Sequence, residues 1–132
     1  MRWLALVLAL SLAGCGGSSG FAARNAAEEE AKLYPANYKS DIVAFLRTYL
    51  NDPSNIRDAA VSEPSFQQIG PESRYVACLR FNAKATSGGA YSGVKDNLVI
   101  FVAGKLDRMV PPQDRCTAAI YQPFPELGRL AR

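Results

Sequence analysis

The stretch Arg74-Tyr75-Val76-Ala77-Cys78-Leu79-Arg80-Phe81-Asn82-Ala83-Lys84 decides how this chain folds. Tyr75, Ala77, Leu79 and Phe81 alternate with Arg74, Val76, Cys78, Arg80, Asn82 and Lys84. A period of two is the pattern of a strand that lays one face on a core. Gly70-Pro71-Glu72-Ser73 turns the chain just before it, and a Gly/Ser loop, Thr86 to Gly93, follows. Downstream, Asn97 to Ala103 is apolar on both faces, as a central strand requires. Gly104-Lys105 reads as a hairpin turn into a strand Leu106 to Val110, which Pro111-Pro112 ends. A last extended piece is expected around Cys116 to Tyr121, before the arm Gln122-Pro123-Phe124-Pro125-Glu126-Leu127. Phe124 is expected to pack back on the sheet; the alternative is an arm docked in a partner groove as polyproline II.

Upstream, Val61 to Ile69 is a candidate edge strand, because Pro64 cannot donate to a ladder. Tyr38, Ile42, Phe45, Leu46, Tyr49 and Leu50 recur at three- and four-residue spacing, which predicts a one-faced helix from Tyr38 to Leu50, capped by Asn37. Asn51-Asp52-Pro53 stops that helix. Asp52 as cap and Pro53 as first residue predict a second short helical turn, Ser54 to Ala59. One helix followed by antiparallel strands defines an α+β fold: a small two-layer domain, with an N-terminal helix packed on a β-meander of about four strands.

The whole chain has 132 residues, 48% of them apolar, 15 Lys and Arg against 12 Asp and Glu, three Cys and no His. That length holds one ordinary domain, and that composition excludes disorder throughout. The lack of His removes the commonest general base and the commonest zinc ligand. Residues 74–115 hold seven basic and three acidic side chains, whereas 16–73 hold five and eight. The second half is therefore a candidate surface for anionic partners, among them lipopolysaccharide, peptidoglycan carboxylates or an acidic protein face. Its mixed charge also fits an ordinary solvated sheet face. No basic cluster suits nucleic acid.

Ser92-Gly93-Val94-Lys95 matches Ser-x-x-Lys, but it lies between loop and strand without partner motifs, so no catalytic role is assigned to it. No Asp/Glu pair sits in an apolar setting that would raise one pKa, and no phosphate loop opens a helix. No catalytic residue, metal site or cofactor is expected. Asn82 suits a strand end, Gly88 and Gly89 permit positive φ, and Tyr91 can lie over the loop. Arg80, Asn82, Lys84 and Tyr91 form the candidate partner-binding patch.

The chain opens with Arg2 and an apolar run of 11 residues, Trp3 to Ala13. A membrane-spanning helix needs about 20 apolar residues, so this run reads as a secretion signal. Leu12-Ala13-Gly14-Cys15 resembles the lipobox of bacterial lipoproteins. The resemblance implies cleavage before Cys15, diacylglycerol on its sulfur and an acyl chain, such as palmitate, on its amine. Each buried CH₂ contributes about 0.8 kcal/mol, so three chains hold a protein to a bilayer for a cell's lifetime. Gly16, rather than Asp, follows the lipidated Cys, which by the same resemblance implies the periplasmic face of the outer membrane. The expected organisation is 1–14 signal peptide, 15–33 lipidated Cys and flexible linker, 34–132 periplasmic domain. Within the linker, Ala22 to Leu33 is rich in Ala and Glu and can form a short solvated helix, with Glu28 four residues before Lys32. With Cys15 lipidated, Cys78 and Cys116 form an even pair, which reads as a disulfide in an oxidising periplasm; the alternative is two buried free thiols.

The Cys strand with Asn82-Ala83-Lys84, the Gly89-Ala90-Tyr91-Ser92-Gly93 loop, Tyr34-Pro35-Ala36-Asn37-Tyr38-Lys39, Phe45 to Leu50, Ile56-Arg57-Asp58-Ala59 and Tyr121 to Leu127 are similar to segments of small alphaproteobacterial envelope lipoproteins. These segments cover most of residues 34–127. That family carries no established activity, so the resemblance implies place and fold. The expected function is a membrane-anchored, non-catalytic binding or structural component of the envelope. The alternatives are a periplasmic inhibitor or sensor of an envelope enzyme, and a small hydrolase.

Overall fold

The computed structural model describes residues 19–130. The lipobox, Cys15 and residues 16–18 of the linker lie outside them. The elements are α1 (Ser19–Ala31), α2 (Tyr38–Tyr49), β1 (Asp52–Val61), β2 (Ser65–Ile69), β3 (Glu72–Lys84), β4 (Lys95–Val102), β5 (Lys105–Val110), β6 (Gln122–Pro123) and α3 (Pro125–Gly128). They form an α+β domain around one antiparallel sheet, in the order β5-β4-β3-β1-β6.

β3 is the centre of this sheet, because it is paired along both of its edges. One edge pairs with β4 over seven residues, from Tyr75 opposite Phe101 to Phe81 opposite Lys95. The other edge is shared: β2 pairs with its first part and β1 with its second. The break between them falls at Ser62 to Pro64, where the proline cannot join the ladder. The β4–β5 turn is two residues long, Ala103 (φ 51°) and Gly104 (φ 75°). Two positive φ values match the twist of a tight hairpin, and only glycine adopts one without cost.

Alternation sorts the side chains of β3. Ala77, Leu79, Phe81 and Ala83 join Val99 and Phe101 of β4 in the main core. Ile42 and Leu46 of α2, Phe124, and Leu127 of α3 cover that face. Phe124 is fully buried, so the arm folds back on its own domain and its docking as polyproline II is excluded. Val76 and Cys78 point the other way, into a smaller cluster with Leu98, Ile100 and Cys116. Residues 113–118 close over this cluster as turns and 119–121 follow without regular structure, so the extended piece expected at Cys116 to Tyr121 does not form as a strand; the Cys78–Cys116 disulfide pins the turns (Cα–Cα 5.7 Å).

Ser54 to Ala59 is strand, not a helical turn, and the sheet therefore has more strands than the four anticipated. The misleading feature is chemical. Asp52 is buried, and its carboxylate accepts hydrogen bonds from the Ser54 N–H (3.0 Å), the Ser54 hydroxyl and the Gly88 N–H (3.2 Å). A bond from the side chain of one residue to the N–H two residues on is also what a helix cap makes. Here the chain runs on as a bulged strand, with Asn55 (φ 54°) and Asp58 (φ 55°) in the left-handed region that these residue types tolerate. Asn37 precedes α2 but makes no side-chain cap; the Ser40 hydroxyl instead donates to its carbonyl.

α1 occupies part of the stretch expected to be a flexible linker. Thirteen residues make a rod of about 20 Å. Lys32, just past its end, pairs with Glu29 at 3.4 Å rather than with Glu28. The helix is exposed along nearly its whole length. No helix among the described residues is long and apolar enough to cross a membrane.

Candidate functional site

On the sheet face turned away from α2, the row Val76, Cys78, Arg80, Asn82, Lys84 runs out from under the disulfide-pinned turns. Arg80, Asn82 and Lys84 are half-buried at its open end. The four residues of the anticipated patch lie on this side but do different things.

Arg80 faces Asp96 across the β3–β4 ladder. Its Nε and Nη2 donate to Oδ1 (2.7 Å) and Oδ2 (3.0 Å), and its guanidinium lies 4.1 Å from the Tyr121 ring centroid. The Arg80 hydrogen bond holds the Asp96 carboxyl below the usual carboxylate range. Burial, and then the charge of Asp96, push the Tyr121 hydroxyl up; that hydroxyl lies against the carboxylate without the geometry of a full hydrogen bond. The pair is partly exposed, so water screens it. Its effect is to fasten Tyr121, and with it the end of the covering turns, to the sheet.

Asn82 is also spent within the domain: its Oδ1 accepts the Gly93 N–H (2.9 Å). Ser92 donates both its N–H (2.9 Å) and its hydroxyl (3.0 Å) to the Ala83 carbonyl. These bonds bring the loop after β3 back beside the strand, so that Tyr91 bridges Lys84. Gly88, at φ 69°, provides the left-handed turn that this return needs.

Tyr91 then reaches β1. Its hydroxyl donates to the Asn55 carbonyl (2.7 Å). Arg57 lies over its ring, with Cζ 4.1 Å from the centroid, and the Lys84 ammonium stands 5.6 Å from the same centroid. Arg57 is opposite Asn82 in the register of β1 on β3. These three side chains border an open recess of about 420 Å³, completed by Asn55, Ile56 and Gly128. Neither Arg57 nor Lys84 has an ion-pair partner among the described residues. The site thus keeps Lys84 and Tyr91 of the expected set, gains Arg57, and leaves Arg80 and Asn82 as its neighbours and support.

A second groove of about 420 Å³ lies by the disulfide, between Ser62, Glu63 and Gln67 on one side and Arg115, Ala119 and Ile120 on the other. It gathers no cluster of like charge or nucleophiles. Among the described residues no three His, Cys, Asp or Glu side chains converge as metal ligands. Two cations on one aromatic ring attract and orient an anion; they do not by themselves break a bond.

No protein-family model, curated protein or solved structure matches this chain.

Proposed function

We propose that the chain is an envelope lipoprotein whose small domain works by binding. Lipid on Cys15 tethers it to the periplasmic face of the outer membrane, and the domain acts as a non-catalytic structural or accessory component there. The observation that carries this reading is the division of the three cysteines. Cys78 and Cys116 are joined, the state favoured in an oxidising compartment. The third, Cys15, stands at the end of the Leu12-Ala13-Gly14-Cys15 lipobox. In sequence the exposed helix α1 separates Cys15 from the sheet, and the cationic recess at Arg57, Lys84 and Tyr91 gives the domain a surface for an anionic envelope partner.

The test is metabolic labelling with radioactive palmitate, followed by separation of inner and outer membranes on a density gradient. Label is expected in the wild-type band of the outer membrane, and none in Cys15→Ser. A wild-type protein that takes up no label would overturn the anchor, and with it the placement at the membrane.

A further inference from the structure

We propose that Arg57, Lys84 and Tyr91 form a binding site for a phosphate monoester group. This rests on the reading of the domain as a binding module and names the chemistry of its ligand.

The domain contains its own template for such a site. Arg80 lies 4.1 Å from the Tyr121 centroid, and the oxygens of Asp96 fill its fork. Arg57 lies the same 4.1 Å from the Tyr91 centroid, but no carboxylate of the described residues meets it. A guanidinium stacked by its face keeps its N–H edge for an oxyanion, and it binds two oxygens at once. Lys84, on the same ring, adds a second positive charge that can follow a ligand as a flexible point donor.

Local structure holds the pair in place. The two left-handed residues, Asn55 and Asp58, bracket Arg57, and the strand is bulged on both sides of it. Bulges re-aim side chains, and strained backbone gathers where a side chain must be held. The Tyr91 hydroxyl clamps the ring to the Asn55 carbonyl, so ring and bulge move together. Among the described residues the lining is Asn55, Ile56, Arg57, Lys84, Tyr91 and Gly128, with no acidic side chain.

Charge selects the ligand class. Arg57 and Lys84 place two positive charges on one ring with no carboxylate of the described residues between them, and a dianion complements such a pair better than a monoanion. A carboxylate brings one charge. A phosphate monoester brings about −1.5 to −2 at neutral pH and three acceptor oxygens. The recess is open, so it takes a phosphate at the end of a larger molecule without enclosing it. A phosphorylated lipid headgroup and a soluble sugar phosphate share that chemistry.

Both sources can be tried on the ¹⁵N-labelled full-length protein in neutral-detergent micelles. Glucose 1-phosphate is titrated, with glucose and acetate as controls; separately, the micelles are doped with phosphatidic acid. The Arg57 Nε–H and the Tyr91 amide are expected to shift saturably with the phosphates, and not with glucose. Acetate is expected to bind at least tenfold more weakly. Arg57→Gln with Lys84→Gln should weaken binding roughly tenfold or more, since it removes charge-assisted hydrogen bonds from a partly exposed site, while the thermal midpoint stays in place. A response to doped micelles alone makes the ligand a headgroup, and a response to glucose 1-phosphate alone makes it soluble; either supports the site. No saturable shift, equal binding of acetate, or an unchanged affinity in the folded double variant would overturn it. Because the readout is purified protein, such a failure leaves the palmitate result, and the anchored reading, untouched.

Discussion

Phe124→Ala is expected to destabilise the domain by about 3–5 kcal/mol, the cost of truncating a buried aromatic and leaving a cavity. Phe124 is fully buried among Ile42, Leu46, Leu79 and Phe101, although it sits between two prolines in an arm with little regular structure. Its N–H donates to the Ala59 carbonyl (2.9 Å), which ties the arm to β1, and Leu127 follows it into the same core. Loss of the ring therefore weakens the two-residue strand β6 and the short α3 together. Small domains have only about 5–15 kcal/mol to lose. For a domain of this size the thermal midpoint should fall by roughly 12 °C or more. Thermal melts followed by circular dichroism decide it, with Ile120→Ala as the control. Ile120 is 82% exposed, so its truncation should stay within about 0.5 kcal/mol of wild type. Equal melts for Phe124→Ala and Ile120→Ala would show that the arm is not part of the core.

Removing the Cys78–Cys116 bond is expected to cost a comparable amount. The bridged residues are 38 apart in sequence, and closing a loop of that size is worth about 3–4 kcal/mol in the chain-entropy account. Here the bond also holds a cover in place. Val76, Leu98 and Ile100 are buried beneath residues 113–121, which are turns and irregular chain with no ladder of their own. Reduction should free those turns and bare that cluster while β3 and β4 stay paired. The expected result is a thermal midpoint that drops sharply on adding reductant to wild type, and a Cys78→Ala, Cys116→Ala variant already low and insensitive to it. A wild-type melt unmoved by reductant that has demonstrably cleaved the bond would contradict this role.

The centre of the sheet was legible because its information is local. From Arg74 to Lys84, alternation alone sorts Leu79 and Phe81 onto one face and Cys78 and Arg80 onto the other, and the structure keeps that sorting. The Tyr38 helix was legible for the same reason, with its three- and four-residue spacing preserved in Ile42 and Leu46. β1 was not legible. Asp52-Pro53 makes the local bond of a helix cap, and two bulges remove the alternation that would mark a strand. Its pairing with β3, and at its end with β6, contacts distant in sequence, fixes it as sheet. The fate of the site follows from this. Lys84 and Tyr91 could be grouped because one loop joins them. Arg57 was hidden inside the misread segment, and nothing in its neighbours marks its meeting with Tyr91 beyond the weak hint of Asn55 and Asp58, residues that accept positive φ. Arg80 and Asn82 were visible as polar side chains on the outer face, but their partners Asp96 and Gly93 belong to the next strand and loop.

The account of a tethered, disulfide-closed domain is tested most directly by the intact mass of the protein extracted from membranes. The predicted mass is that of residues 15–132, increased by a diacylglyceryl group and one further acyl chain, and lowered by one hydrogen at each of Cys78 and Cys116. A mass equal to the unmodified chain from Met1, or to a chain cut elsewhere and carrying no lipid, would contradict it.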